Sequence, residues 1–479
     1  MKTKWWRAAI AIVALTAILA ACGGGDDDDS TSGGGGGDSS AEGPDLPECP
    51  LDALEQASGP VDITLWHAMT RANLDELNRL TEEYNSSQSK VHVSLSEAAN
   101  YSDNLTRFTA GLGTGELPDL VQIEDTGTQL MIDSQSVLPA ASCIEADNLD
   151  TSDIIPRALA YYTVKDVLYP MPFNVSNPIL YYNENAFSQA GLDPEKPPTT
   201  LEEMQEASQK IVDSGATEYG FAFKIQPWFL EHWLAMGGNT YVDNGNGRED
   251  RATAMTIDNE AGVEIYTWMK TMYDDKLLLN TGSAENSIDH YLAVANGQVA
   301  MTIDTSAALG TIFNLLESGQ YPDVKLGAAA LPGPKSPDGG PLVGGAALYI
   351  VNKSAPEKQA AAYDFAKWLA QPEQQSAWAA ATGYIPISQQ ATTLEPLTTA
   401  WANRPELKVA YDQLLSGPEN DATAGPVIGP YGSAGQGVRG AVIDSIDKMF
   451  SEGTTPEVAV KEASDGGDAA IEEYNSRVG

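Results

Sequence analysis

The chemically capable residues of this chain are a glycine-rich turn with one arginine, a pair of adjacent carboxylates and a scatter of aromatic faces. The turn is Gly435-Gln436-Gly437-Val438-Arg439-Gly440. Its spacing matches the dinucleotide pattern, but no hydrophobic strand precedes it and it sits near the C-terminus. The apolar positions Val438, Val442, Ile446 and Phe450 predict a helix starting at about Val438. A glycine-rich turn feeding a helix leaves backbone N–H groups free to meet an anion, and Arg439 adds a planar fork for phosphate or carboxylate. The plain alternative is an exposed arginine in a structural turn. Glu124-Asp125 has the composition of a glycosidase pair, yet neighbours on a strand face opposite ways. One of the two is expected to face a ligand. Trp228, Trp233, Tyr101, Tyr181, Tyr182 and Tyr384 offer faces that attract sugar rings or quaternary ammonium groups. Each alone fits a core position better than a ligand platform.

Catalytic signatures are missing. Tyr431-Gly432-Ser433-Ala434-Gly435 has Tyr where a nucleophile elbow needs its first glycine. No P-loop and no His-Glu-x-x-His occur, and the four histidines, His67, His92, His232 and His290, are scattered. The expectation is a binding protein with no catalytic residue, cofactor or metal. The enzyme alternative, a secreted phosphodiester hydrolase, lacks a nucleophile or metal motif to start from.

The N-terminus supplies an address. Lys2, Lys4 and Arg7 precede an apolar run from Ala8 to Ala20, too short for a comfortable membrane span but suited to a signal peptide. It ends in Leu19-Ala20-Ala21-Cys22, a lipobox in which Cys22 would carry the lipid; an ordinary signal peptide is the alternative. Residues 1–21 are therefore expected to be a signal peptide, and residues 22–58 a flexible linker rich in Gly, Asp and Ser. With 67 acidic against 27 basic residues, the net charge of −40 excludes a nucleic-acid partner and a surface lying on anionic lipid. Beyond Cys22, Cys49 and Cys143 form an even pair in an oxidising compartment and are expected to be joined. Two free buried thiols are the alternative.

The rest alternates. Val61 to Trp66, Val91 to Leu95, Leu120 to Ile123, Val299 to Ile303 and Ala347 to Val351 read as strands. Thr200-Leu201-Glu202-Glu203 and Ser354-Ala355-Pro356-Glu357 read as capping boxes, the second opening a helix to Trp368 or Leu369. This is an α/β pattern with parallel sheets.

Several segments together resemble a known family: Thr64-Leu65-Trp66-His67-Ala68-Met69, Leu117-Pro118-Asp119, Pro172-Phe173-Asn174-Val175-Ser176-Asn177-Pro178 with Leu180-Tyr181-Tyr182-Asn183, Ala190 to Pro194, Val343 to Leu348, and Thr382 to Ile387. From about Val61 onward the chain resembles the extracytoplasmic solute-binding proteins of carbohydrate-type ABC importers. More narrowly it resembles the glycerol-3-phosphate branch of the Ugp type, some members of which take glycerophosphocholine. The resemblance implies a two-lobed periplasmic-binding-protein-like fold (type II), the ligand held in the cleft between lobes that close by a hinge. It implies an N-lobe of 59–165 and 296–352 and a C-lobe of 166–295 and 353–479. Ligand contacts are implied at Tyr101, Asp125, Ser176, Trp228, Thr305 or Ser306, Gly345, Tyr384 and Arg439. Tyr384, Arg439 and the backbone at Gly345 would hold phosphate, and Asp125 with Ser176 the glycerol hydroxyls. Ile225 stands where some members carry Trp, which opens space for a larger head group. The expected protein is a monomer, lipid-anchored on the extracytoplasmic face of the cell membrane. It would pass a glycerophosphodiester or glycerol phosphate to an ABC permease; a sugar is the alternative ligand.

Overall fold

The computed structural model describes residues 45–335, 338–432 and 436–478. The expected signal peptide, Cys22, residues 22–44 of the expected linker and Gly435 lie outside the described residues. The strands are β1 (Val61–His67), β2 (Val91–Glu97), β3 (Leu120–Glu124), β4 (Val137–Leu138), β5 (Thr163–Val164), β6 (Val167–Leu168), β7 (Met171–Ser176), β8 (Pro178–Asn183), β9 (Tyr219–Phe223), β10 (Leu278–Asn280), β11 (Val299–Thr305), β12 (Leu326–Ala330) and β13 (Gly344–Val351).

They form two main sheets, each the centre of one lobe. The first runs β2-β1-β3-β13-β4, with β7 also paired to β13; the second runs β10-β9-β11-β8-β12. Strand β1 shows why the first sheet forms. Val61, Ile63 and Leu65 point into the core while Asp62 faces out, the two-residue period of a half-covered strand. Their core is completed by Leu77 and Leu80 from the helix Arg71–Ser87 and by Phe365 and Trp378. The second core gathers Leu180, Phe221, Phe223, Trp233 and Met301 with Val442 and Ile446 of the helix Gly437–Ser451. This is the two-lobed, type II arrangement that the resemblance implies.

The sheets are mixed rather than parallel. β1 is parallel to β2 and β3, and β9 to β10 and β11, but β13 is antiparallel to β3, β4 and β7, and β8 to β11 and β12. The reason lies in the crossings. Only Asn177 separates β7 in the first sheet from β8 in the second, so the strand entering each neighbouring sheet runs against its partners. Asn177 is fully buried and pinned: its amide donates to the Ala410 carbonyl and its Oδ1 accepts from Gln413.

The lobe boundaries also differ from those expected. β11 and β12, inside the 296–352 stretch assigned to the N-lobe, pair in the second sheet; β13 alone of that stretch joins the first. Conversely the helices Pro356–Leu369 and Pro372–Thr382, assigned to the C-lobe, pack on the first core. The chain crosses between lobes three times, as often as that division has it, but at other positions: between β7 and β8, between β12 and β13, and beyond the helix Pro372–Thr382. The linker, too, ends earlier than residue 58. Residues Leu51–Gln56 form a helix whose Leu51 and Leu54 pack on the first core, and Cys49 is bonded to Cys143.

Of the two expected capping boxes, one caps its helix. Thr200 caps the helix Leu201–Ser214 by accepting from Glu203 N–H, although the Glu203 carboxylate returns to Thr199. Ser354 does not cap its helix. Its hydroxyl donates instead to Asp119 Oδ1 at 2.7 Å, and the helix starts at Pro356 without a side-chain cap.

Candidate functional site

A cleft of about 1060 Å³ is lined from both lobes. Eight of the nine residues expected at a ligand fall on it: Tyr101, Asp125, Ser176, Trp228, Thr305, Gly345, Tyr384 and Arg439. Ser306 does not. Its N–H donates to the Asn177 carbonyl and its hydroxyl is buried behind the lining, so of the two alternatives Thr305 is the one on the cleft. Of the other aromatics, Trp233, Tyr181 and Tyr182 belong to the cores.

Backbone demands fix part of the wall. Gly345 stands at φ +97°, where a side chain is strained, and a Cβ there would lie 2.0 Å from the Asn174 carbonyl oxygen. At Gly344 a Cβ would lie 2.5 Å from the Trp228 ring, so the bare strand is what lets that indole lie against it. Trp228 rides on the helix Pro227–Met236 and meets His232 edge-on at 4.8 Å.

A chain of hydrogen bonds aims the tyrosines. Ala68 N–H donates to Gln122 Oε1, Gln122 Nε2 to Asn174 Oδ1 at 2.8 Å, and Asn174 Nδ2 to the Tyr101 hydroxyl at 3.0 Å. The Tyr101 and Tyr384 hydroxyls then lie 3.1 Å apart. Burial raises both phenols above their ordinary range, so they stay neutral donors. Asn174 of the Pro172-Phe173-Asn174 element and Tyr101 thus belong to one network.

Glu124 and Asp125 both line the cleft, against the expectation of one. Strand alternation does not apply, because β3 stops at Glu124 and Asp125 opens a 3-10 turn. Asp125 accepts from the Tyr161 hydroxyl at 2.8 Å. Burial, and then the Glu124 carboxylate, push its carboxyl well above the usual range.

Arg439 is neither exposed nor free. Its Nε and Nη2 donate to Glu231 at 2.9 and 2.8 Å, its Nη1 to Glu124 at 3.2 Å, and its guanidinium lies 4.8 Å from the Tyr431 ring centroid. Two backbone donors at the helix start are spent as well. Val438 N–H donates to the Pro430 carbonyl and Arg439 N–H to the Tyr431 carbonyl. Two N–H groups of the anion cradle read from the glycine spacing are thus taken by the protein's own carbonyls.

Sequence reasoning missed Glu231 and the buried polar end of the cleft at Lys224 and Asp304. Glu231 left a signal: it is the one acidic residue in the otherwise apolar and aromatic helix Pro227–Met236, and a buried carboxylate requires a partner. Asp304 accepts from Thr305 N–H and pairs with His290 Nε2 at 2.7 Å. Burial alone would raise its carboxyl; Lys224 and then His290 reverse that and bring it down to about 2. Burial lowers His232 well below its ordinary value, leaving a neutral ring that accepts from Leu342 N–H.

A clasp also joins the lobes, and one of its residues, Tyr474, lines the cleft. Asp133, at the end of the helix Thr128–Asp133, receives both Nη groups of Arg251 at 2.9 and 2.8 Å and the Tyr474 hydroxyl at 2.8 Å. Among the described residues no group of three or more His, Cys, Asp or Glu is placed to hold a metal, and no helix is long and apolar enough to cross a membrane.

Residues 79–409 match the family of bacterial extracellular solute-binding proteins. The chain is 27% identical over 430 residues to the sn-glycerol-3-phosphate-binding periplasmic protein UgpB of Pectobacterium atrosepticum, spanning 87% of this chain and 93% of that one. Its fold is similar to UgpB of Mycobacterium tuberculosis solved in complex with glycerophosphocholine, with a TM-score of 0.68, 20% identity, and 88% and 100% of the two chains covered. It is equally similar in fold to the cyclic alpha-maltosyl-1,6-maltose binding protein of Arthrobacter globiformis, with a TM-score of 0.67, 23% identity, and 87% and 100% covered.

Proposed function

We propose a function from one premise: the chain belongs to the bacterial extracellular solute-binding protein family. On this reading it captures a small solute outside the membrane and presents it, by closing its lobes, to the permease of an ABC importer. No covalent chemistry is involved. The protein acts as a monomer on the extracytoplasmic face, held by a lipid on Cys22. The solute is a glycerophosphodiester such as glycerophosphocholine, or glycerol-3-phosphate. Asp125 and Ser176 take the glycerol hydroxyls, Tyr384 and the backbone at Gly345 face the phosphate beside Arg439, and Tyr101 and Trp228 wall a choline.

One observation carries the reading. Residues as distant in sequence as Tyr101 and Arg439, picked by resemblance to the glycerol-3-phosphate branch, share one cleft. A neutral phenol pair beside a carboxyl suits a polyol phosphate, whose hydroxyls and ester oxygens need donors and acceptors together. A second reading has its own support. The Arg439 charge is balanced by Glu124 and Glu231, which suits a neutral oligosaccharide better than a free anion. Isothermal titration of the purified protein with glycerol-3-phosphate, glycerophosphocholine and maltotriose separates the two. Tighter binding of maltotriose than of either ester overturns the first reading, and binding of neither class overturns both.

A further inference from the structure

Two buried cations line the cleft, Arg439 and Lys224. Only the first is closed onto carboxylates. Lys224 follows β9 directly, so the strand delivers it to the cleft with 6% of its surface exposed. Its Nζ donates to the backbone carbonyl of Glu285 at 2.7 Å. An ammonium carries three donors, and among the described residues this is the single hydrogen bond it makes. The nearby carboxylate of Asp304 is already engaged by His290 and by Thr305 N–H.

Burying an ammonium without a carboxylate in contact costs several kcal/mol. Nothing in the packing requires it: the position lies between Phe223 and Ile225, both buried and apolar. Lys224 directly precedes Ile225, where the resemblance implies space for a larger head group, and lines the same cleft as Trp228.

We propose that Lys224 is the cleft residue that receives the acidic group of the ligand, a phosphate mono- or diester. This rests on the glycerophosphoester reading above. Arg439, with its fork filled by Glu231, then shapes the wall and adds at most one N–H toward the ester, while Lys224, whose charge faces Asp304 without a hydrogen bond to it, brings two unspent donors.

Titration calorimetry of the wild type and of Lys224→Met with glycerol-3-phosphate and maltotriose tests this. The expected result is a loss of about 10- to 100-fold in affinity for glycerol-3-phosphate, as for one hydrogen bond to a charged group. Any weak maltotriose binding is expected to be unchanged. Lys224→Met with wild-type affinity for the ester overturns the inference while leaving the ester reading intact. Wild type that ignores the ester and takes only maltotriose overturns both. Should Lys224→Met not fold, a crystal structure of the wild type with glycerol-3-phosphate decides: a phosphate oxygen within about 3.2 Å of Nζ supports the assignment, and a phosphate lodged elsewhere overturns it.

Discussion

Arg439 and Glu231 form a two-bond fork inside the second lobe, Nε and Nη2 each meeting one carboxylate oxygen. Both side chains are almost fully buried. Their third partner, Glu124, comes from the first lobe through a longer bond and is partly exposed. The pair holds within the lobe; the Glu124 contact holds between lobes.

Removing one member of such a pair strands the other's charge. Glu231→Ala is expected to destabilise the protein by about 3–5 kcal/mol in urea unfolding. The Glu231→Ala/Arg439→Ala double variant should recover part of that, because no orphan charge remains.

Glu124 competes with any ligand anion for Arg439 Nη1. Glu124→Gln should therefore tighten glycerol-3-phosphate binding by about three- to tenfold, the value of one modest polar contact. Calorimetry reads it, and a weaker complex would show that Glu124 serves the ligand directly.

Gly345→Ala meets both a left-handed backbone and the Asn174 carbonyl. The expected loss is about 2–4 kcal/mol by denaturant unfolding. Gly113, inside the helix Tyr101–Thr114 with open space around it, is the control. Gly113→Ala should stabilise by about 0.5–1 kcal/mol.

Two buried carboxyls lean opposite ways with pH. The Asp304 carboxyl is lowered, so its contribution to stability is complete above about pH 4 and fades as pH falls toward 2. The cost of Asp304→Asn should accordingly be full at neutral pH and shrink toward pH 2. The Asp125 carboxyl is raised, so it favours the folded state only while protonated. Asp125→Asn should be increasingly stabilising as pH rises above about 4. Thermal unfolding of both variants across pH checks the two signs.

Much of the scaffold was legible because it rests on local signals. β1 and β2 declare themselves by alternation, β3 by its short apolar run, and the helix at Leu201 by its threonine cap. What was not legible depends on distant pairings. Asp119 draws off the Ser354 hydroxyl across 235 positions, which no cap pattern reveals. Two carboxylates close Arg439 from 208 and 315 positions away, so the sequence offers the guanidinium without its counter-charges. The turn at Gly437 reads as open until the carbonyls of Pro430 and Tyr431 are seen to take two of the N–H groups there. The resemblance picked eight residues that share the cleft, missed Lys224 and Asp304 there, and overstated how many are unengaged.

The clasp of Arg251 and Tyr474 on Asp133 bears on time rather than on affinity. Asp133 and Arg251 lie off the cleft lining, so the two bonds between them hold alike whatever solute is inside, whereas Tyr474 lies on the lining. The same bonds must break before a solute escapes, which lengthens its stay. The part of that stay set by Arg251 and Asp133 thus sits in residues apart from those that choose the cargo, and either set is free to drift without the other.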